Sequence, residues 1–167
     1  QQEAMARIDA RSTAEYGIAS ADLMEAAGLQ AYRRVKETLW AGSVPAGPLV
    51  FVAGRGANGG DAFVMARHAY LDGADTAVVL AAAKPAPGTD AAANLASCDR
   101  LGISCTSWPD AQDRAERQIA SAAWLFDGIA GTGLRGPLRA PLDALVAALN
   151  GAPGHRAAID VPSGLGD

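Results

Sequence analysis

From Leu49 to Asp160, five short apolar runs alternate with stretches long enough to be helices, and few architectures satisfy that pattern. Strands are expected at Leu49–Ala53, Thr76–Ala82, Ile103–Thr106, Trp124–Asp127 and Arg156–Asp160. Helices are expected between them at Gly60–Asp72, Asp90–Leu101, Asp110–Ala122 and Ala140–Asn150, with glycine or proline at most junctions. Upstream, two further helices are predicted before the first strand. The second starts with Ser20 as its N-cap and carries Leu23, Ala27, Ala31 and Val35 on one face. The chain is therefore expected to form one α/β domain: a Rossmann-like, doubly wound, mostly parallel sheet flanked by helices and preceded by two more.

Half of the 167 residues are hydrophobic, enough to bury a core in a single domain. The net charge is −4 and no stripe of Lys and Arg forms, which argues against nucleic acid or an anionic membrane as partner. No apolar run approaches the ~20 residues of a membrane span. No signal-peptide pattern is present, and the start at Gln1 reads as a processed end. Cys98 and Cys105 have no metal-ligand spacing around them, so two packed, reduced thiols and a cytoplasmic location are expected.

In sheets of this kind, ligands bind beyond the carboxyl ends of the strands. Three glycine-rich segments fall at that edge, each with an aspartate: "GRGANGGD" after the first strand, "DGIAGTGLRGP" from Asp127, and "DVPSGLGD" from Asp160. Either aspartate could simply cap the turn that follows it. Their coincidence on one edge instead describes a pocket whose backbone N–H groups can approach a phosphate-bearing ligand. Gly54, Gly56 and Gly59 have the G-x-G-x-x-G spacing of dinucleotide-binding proteins. A dehydrogenase would also need an acid at the end of the second strand to hold ribose hydroxyls, and "VVLAAAKP" has none. Asp61, read as lying in the first helical turn, would compete with a phosphate for the positive helix end.

The segments "YGIASADLMEAAG", "VAGRGANGGDAFVMARH", "FDGIAGTGLRGPL" and "AIDVPSGL", in this order and spacing, resemble the successive motifs of the NAD(P)H-hydrate epimerase family. The resemblance implies an isomerase that interconverts the R and S forms of hydrated NADH and NADPH at nicotinamide C6. It implies cofactor repair alongside a dehydratase that accepts the S form, to which the epimerase is fused in some bacteria. It also implies a potassium ion held by Asn58, Asp127 and Ser163, an oxygen-only set that suits a hard cation. Substrate contacts are implied at Ala57, Asn58, Gly59, Gly60 and Asp61, at Gly131, Thr132, Gly133, Leu134, Arg135, Gly136 and Pro137, and at Asp160. The G-T-G-L turn offers N–H groups to the diphosphate, with Arg135 either a phosphate contact or a solvated loop charge. A homodimer through the N-terminal helices is implied, as are further strands beyond P-S-G-L, so residues 1–167 are expected to be one epimerase domain without its C-terminal strands. Two departures stand out: Ala57 replaces the family's first asparagine, and Arg55 replaces its loop proline, adding a charge at the mouth.

The hydrate is a hemiaminal. Its ring nitrogen can expel the C6 hydroxyl as water, leaving a planar iminium that water re-enters from either face. Asp160 is the candidate acid and base, a role that requires it to hold a proton through burial or a neighbouring charge such as Asp127. Ring-opening routes satisfy the same stereochemical outcome. His68 and His155 are read as structural or solvated, and Trp40, Trp108 and Trp124 as packing, unless an aromatic face near the pocket stacks on a base. The alternative reading is an inactive dimerisation or ligand-binding module of the same fold, as in RNA-decapping scaffolds.

Overall fold

Leu49–Ala53 is apolar without alternation, the mark of a strand covered on both faces. In the computed structural model, which describes residues 2–131 and 138–165, all five of its residues are buried. This strand, β1, is the centre of a parallel sheet with β2 (Thr76–Leu80), β3 (Ser104–Ser107), β4 (Trp124–Gly128) and β5 (His155–Ala158) in the order β3-β2-β1-β4-β5. The helices are α1 (Gln2–Tyr16), α2 (Ser20–Thr38), α3 (Ala57–Leu71), α4 (Asp90–Leu101), α5 (Gln112–Ser121) and α6 (Leu142–Gly151). The α/β architecture expected from the alternation is the one observed.

Period-two geometry divides the sheet between two cores. Leu49, Phe51, Val78 and Phe126 point to one face with Tyr32, Phe63, Ala66 and Leu95. Val50, Val52, Val79 and Leu125 point to the other, with Ile119, Leu145 and Leu149. An aromatic column stiffens the first core: Phe51 stacks on Phe126 at 4.6 Å, and Trp40 meets Phe126 and Trp124 edge-on at 5.8 and 5.7 Å. Trp108 is fully buried, so the tryptophans pack as expected.

Several expected boundaries shift. β2 stops at Leu80 although Ala81 still donates to the Ala53 carbonyl, and β5 ends at Ala158, so Asp160 lies beyond the strand. Ser20 is the first helical residue of α2; its N-cap is Ala19, extended and without a side-chain cap. The buried face of α2 is also rotated from the expected stripe. Ala27 is exposed, while Gly28 and Tyr32 are buried, because a Cβ at Gly28 would run into Val64 of α3. Close helix approach at a glycine, rather than aliphatic spacing, sets the interface. Leu23 and Met24 are half-buried, and Met24 lies against Gly60 and Asn94. α1 leaves Ile8 and Tyr16 exposed, as is Ile18 after it.

Polar pairs tie α2 to α3. Glu25 accepts from Arg67 and meets His68 Nε2 at 2.8 Å, and Arg67 also reaches Asn94 at 3.0 Å. Asp72 accepts from Tyr32 Oη and Lys36 Nζ, both at 2.7 Å. His68 stacks on Tyr32, and the exposed His155 ring stands 4.7 Å from Trp124, tilted by 32°. Desolvation pushes the Glu25 carboxyl up, but the bonds from His68 and Arg67 outweigh it and hold it below its ordinary value. The bonds from Lys36 and Tyr32 lower Asp72 likewise. A carboxylate depressed in the folded state adds stability that is complete above its unfolded value and is lost as pH falls through the folded value. Glu25→Gln with Asp72→Asn should therefore flatten the acid limb of a urea-stability profile below about pH 4.5. The loss at neutral pH should stay under about 1 kcal/mol per pair, since both carboxylates are solvent-screened. An acid limb as steep as the wild type's would refute the assignment.

Cys98 and Cys105 are both free thiols, and burial pushes each up to about 12. Among the described residues, no helix is long and apolar enough to cross a membrane.

Candidate functional site at the β1–β4 switch point

The sheet order reverses between β1 and β4, and loops leaving those two strands part to opposite faces, opening the crevice in which doubly wound sheets bind ligands. Here the two loops touch. Gly54 N–H donates to the Gly128 carbonyl at 3.0 Å, and a Cβ on Gly54 would overlap the Ile129 carbonyl oxygen. A Cβ on Gly59 would overlap the Gly54 carbonyl oxygen in turn. The first and third glycines of the triplet are thus required by backbone-to-backbone packing. A Cβ on Gly56 would meet nothing within 4 Å.

Helix α3 begins at Ala57, three residues earlier than expected, with Gly56 as an N-cap that offers no side chain and Gly60 N–H bonded back to the Gly56 carbonyl at 3.0 Å. Asp61 consequently sits in the second turn, not the first, and is half-buried. The N–H groups of Ala57, Asn58 and Gly59 lie at the open, positive end of the helix. Gly60 is turned elsewhere, toward Met24 of α2 and Ala91 of α4.

Asp127, next to last in β4, is half-buried and organises the facing loop. Its Oδ1 accepts from Ile129 N–H at 3.1 Å and Ser163 Oγ at 2.7 Å, and its Oδ2 accepts from Ser163 N–H at 2.7 Å. Ser163 Oγ also accepts from Ala130 N–H at 3.0 Å. Ser163 is buried. Ser163→Ala would leave the Ala130 N–H without this acceptor and should cost about 1–2 kcal/mol in a denaturation experiment. An unchanged midpoint would mean that the pairing does not hold the loop.

Gly131 joins the third segment to the other two. A Cβ there would meet Asp160 Oδ2 at 2.6 Å and Asn58 Cβ at 3.8 Å. At Gly128, a Cβ would meet the Asn58 carbonyl oxygen at 3.1 Å and Ile159 Cδ1 at 3.0 Å. Asn58, Asp127, Gly131, Asp160 and Ser163 are therefore brought together around one turn. Asp160 is exposed. Thr132, Gly133, Leu134, Arg135, Gly136 and Pro137 lie outside the described residues.

Asn58, Asp127 and Ser163 bear oxygens, the donor type that hard cations take. A carboxylate has about four lone-pair sites and a hydroxyl two, so Asp127 and Ser163 each retain one after the bonds above. The buried Nδ2 of Asn58 has no hydrogen-bond partner among the described residues, and the two ends of an amide are assigned from their partners. Among the described residues, no cluster of three His, Cys, Asp or Glu groups forms, so a transition-metal centre is not indicated.

Behind Asp127 and Ser163 is a cavity of about 470 Å³ with apolar walls from Leu125, Val146, Leu149 and Ala158. Asn58 and Asp160 are not among its described lining residues. The sequence concealed this space, because Val146 and Leu149 in α6 read as ordinary core positions.

Residues 20–167 match the family described as YjeF-related protein N-terminus. The chain is 34% identical to the NAD(P)H-hydrate epimerase of Pirellula staleyi, over 95% of this chain and 68% of that one. It is 35% identical to the bifunctional NAD(P)H-hydrate repair enzyme Nnr of Salinibacter ruber, over 97% of this chain and 31% of that one. It thus spans about a third of that bifunctional relative. The crystal structure of a yeast protein, YNL200c, superposes with a TM-score of 0.81 over 97% of this chain and 69% of that one, at 24% identity, which bears on the fold alone.

Proposed function

The chain belongs to the YjeF-related N-terminal family, and on that premise we propose that it is an NAD(P)H-hydrate epimerase, an isomerase that equilibrates the R and S hydrates of NADH and NADPH at nicotinamide C6. The observation that carries the reading is the convergence of Asn58, Asp127, Gly131, Asp160 and Ser163 at the sheet's switch point. Relatives bearing the epimerase name support the reaction, and bifunctional relatives support cooperation with, or fusion to, a dehydratase that consumes the S form.

In this reading Asp160, standing over Gly131, protonates the C6 hydroxyl while the ring-nitrogen lone pair closes to the iminium. One water leaves, another adds from either face, and the carboxylate takes the proton back, so the atoms balance with no oxidant. Asp160 is exposed, so both substrate and water can reach its carboxylate. Asn58, Asp127 and Ser163 are the residues that would hold potassium, which would supply positive charge for a diphosphate or fix the loops. Asp127 and Ser163 already hold the turn from Asp127 to Ala130 through their own hydrogen bonds. Exposed Ile8 and Tyr16 on α1 favour a homodimer through the N-terminal helices. Two free, high-lying thiols suit a reducing, cytoplasmic compartment.

The test is a coupled assay on an R/S mixture of hydrated NADH, with excess S-specific dehydratase and potassium. Once the S form is consumed, the remaining slow phase should accelerate when this chain is added. A slow phase unchanged by the folded chain would sink the reading.

A further inference from the structure

We propose that this chain favours the 2′-phosphorylated hydrate, with Lys84 and Arg55 reading that phosphate; the inference rests on the epimerase reading above. In a doubly wound sheet, an acid at the end of β2 holds the ribose hydroxyls of an unphosphorylated dinucleotide and repels a 2′-phosphate, whereas a basic group there accepts it. This chain leaves β2 through Ala81, Ala82 and Ala83 and then presents Lys84. Lys84 is exposed and forms no hydrogen bond or ion pair among the described residues.

Register places a second cation at the same edge of the sheet. Ala53 at the end of β1 pairs with Leu80 at the end of β2, and Ala81 N–H continues the ladder to the Ala53 carbonyl at 2.9 Å. Arg55 follows Ala53 by two residues, and it too is exposed and unpaired among the described residues. Asp110, which follows β3, accepts from Ser107 Oγ at 2.6 Å, and no ion pair joins it to either cation among the described residues.

The span along the edge also fits. Asp160 follows β5, and β2 lies three strand spacings away in the order β2-β1-β4-β5, roughly 14 Å at ~4.8 Å per strand. A dinucleotide with its nicotinamide at Asp160 and its diphosphate crossing between β4 and β1 carries its adenosine toward β2. There the 2′-phosphate meets two cations otherwise without a described partner.

Hydrates of NADH and NADPH should be compared in parallel, by epimerisation kinetics and by direct binding, on the wild type, Lys84→Ala and Arg55→Ala. The phosphorylated hydrate is expected to be favoured about tenfold in both readouts. Each substitution should narrow that preference about three- to fivefold, through KM rather than kcat, as for a partly exposed charge pair. Raising the ionic strength from about 0.05 to 0.5 M should shrink the preference as well. Equal affinity for the two hydrates in the wild type, or substitutions that weaken both alike, would overturn the inference. Failure to turn over either hydrate would remove the epimerase reading alone, and the binding ratio would still decide this one.

Discussion

Asp160→Asn is expected to lower the kcat of epimerisation by about 10²–10⁴-fold, the usual worth of a positioned acid–base group. The substitution keeps shape and hydrogen-bonding capacity but cannot release and recover a proton at the C6 hydroxyl. Its effect should fall on kcat, with KM changed by less than about threefold, because the step lost is proton transfer and not binding. Exposure of Asp160 makes a folding defect a poor alternative explanation, and a wild-type unfolding midpoint in the variant would exclude it. The position is also geometrically singular: its carboxylate is the nearest group to where a Gly131 side chain would stand, above the turn that Asp127 and Ser163 fix. A variant that retains more than about a third of the wild-type rate would transfer the chemistry to another group, and the half-buried Asp61 would be the next to replace.

Which parts of this molecule its sequence discloses follows from how local each determinant is. β1 was legible because a strand buried on both faces needs an unbroken apolar run, and "LVFVA" has one. The bounds of α4 match residue for residue, since Thr89 caps it by accepting from Ala92 N–H and Gly102 ends it in the left-handed conformation. Helix α3 gave no such signal. Asn58, Gly59 and Gly60 have poor helix propensity and Gly56 offers no capping side chain, yet the segment from Ala57 is helical because its first turn is pressed against the Gly54 and Gly128 backbones. That tertiary contact moved Asp61 out of the first turn and left the positive helix end without a carboxylate. The same logic governs α2, where periodicity favoured an aliphatic stripe and the actual contact is made by Gly28 against Val64. Exposure of Asp160 was beyond reach, because burial depends on what lies opposite and no local pattern encodes it. Strand-end placement put the three glycine-rich loops and their aspartates on one edge, the family resemblance singled out Asn58 and Ser163 within them, and the hydrogen bonds among them were foreseen by neither.

The glycine triplet separates structural need from ligand need, and substitution can show which is which. Gly54→Ala should destabilise the fold by about 3 kcal/mol or more, enough to threaten folding of a domain of ordinary stability. The added methyl would overlap the Ile129 carbonyl oxygen, which is backbone and cannot rotate away. Moving it would break the Gly54–Gly128 hydrogen bond and shift the turn that carries Asp127 and Gly131. Gly59→Ala should behave similarly, because its methyl would overlap the Gly54 carbonyl oxygen. Gly56→Ala should change stability by no more than about 0.5 kcal/mol, since its Cβ meets nothing and its φ of −99° is open to any residue. In a dinucleotide fingerprint the middle glycine is the one that lets the pyrophosphate approach, so its substitution would impair binding even in a well-folded chain. On the family-derived reading that puts the diphosphate at the G-T-G-L segment, Gly56→Ala should keep KM for the hydrate within about threefold. Urea midpoints and steady-state kinetics on the three variants test both halves. A Gly54→Ala chain within about 1 kcal/mol of wild type would show that the loops can part, and a large rise in KM for Gly56→Ala would move the diphosphate to the N-terminus of α3.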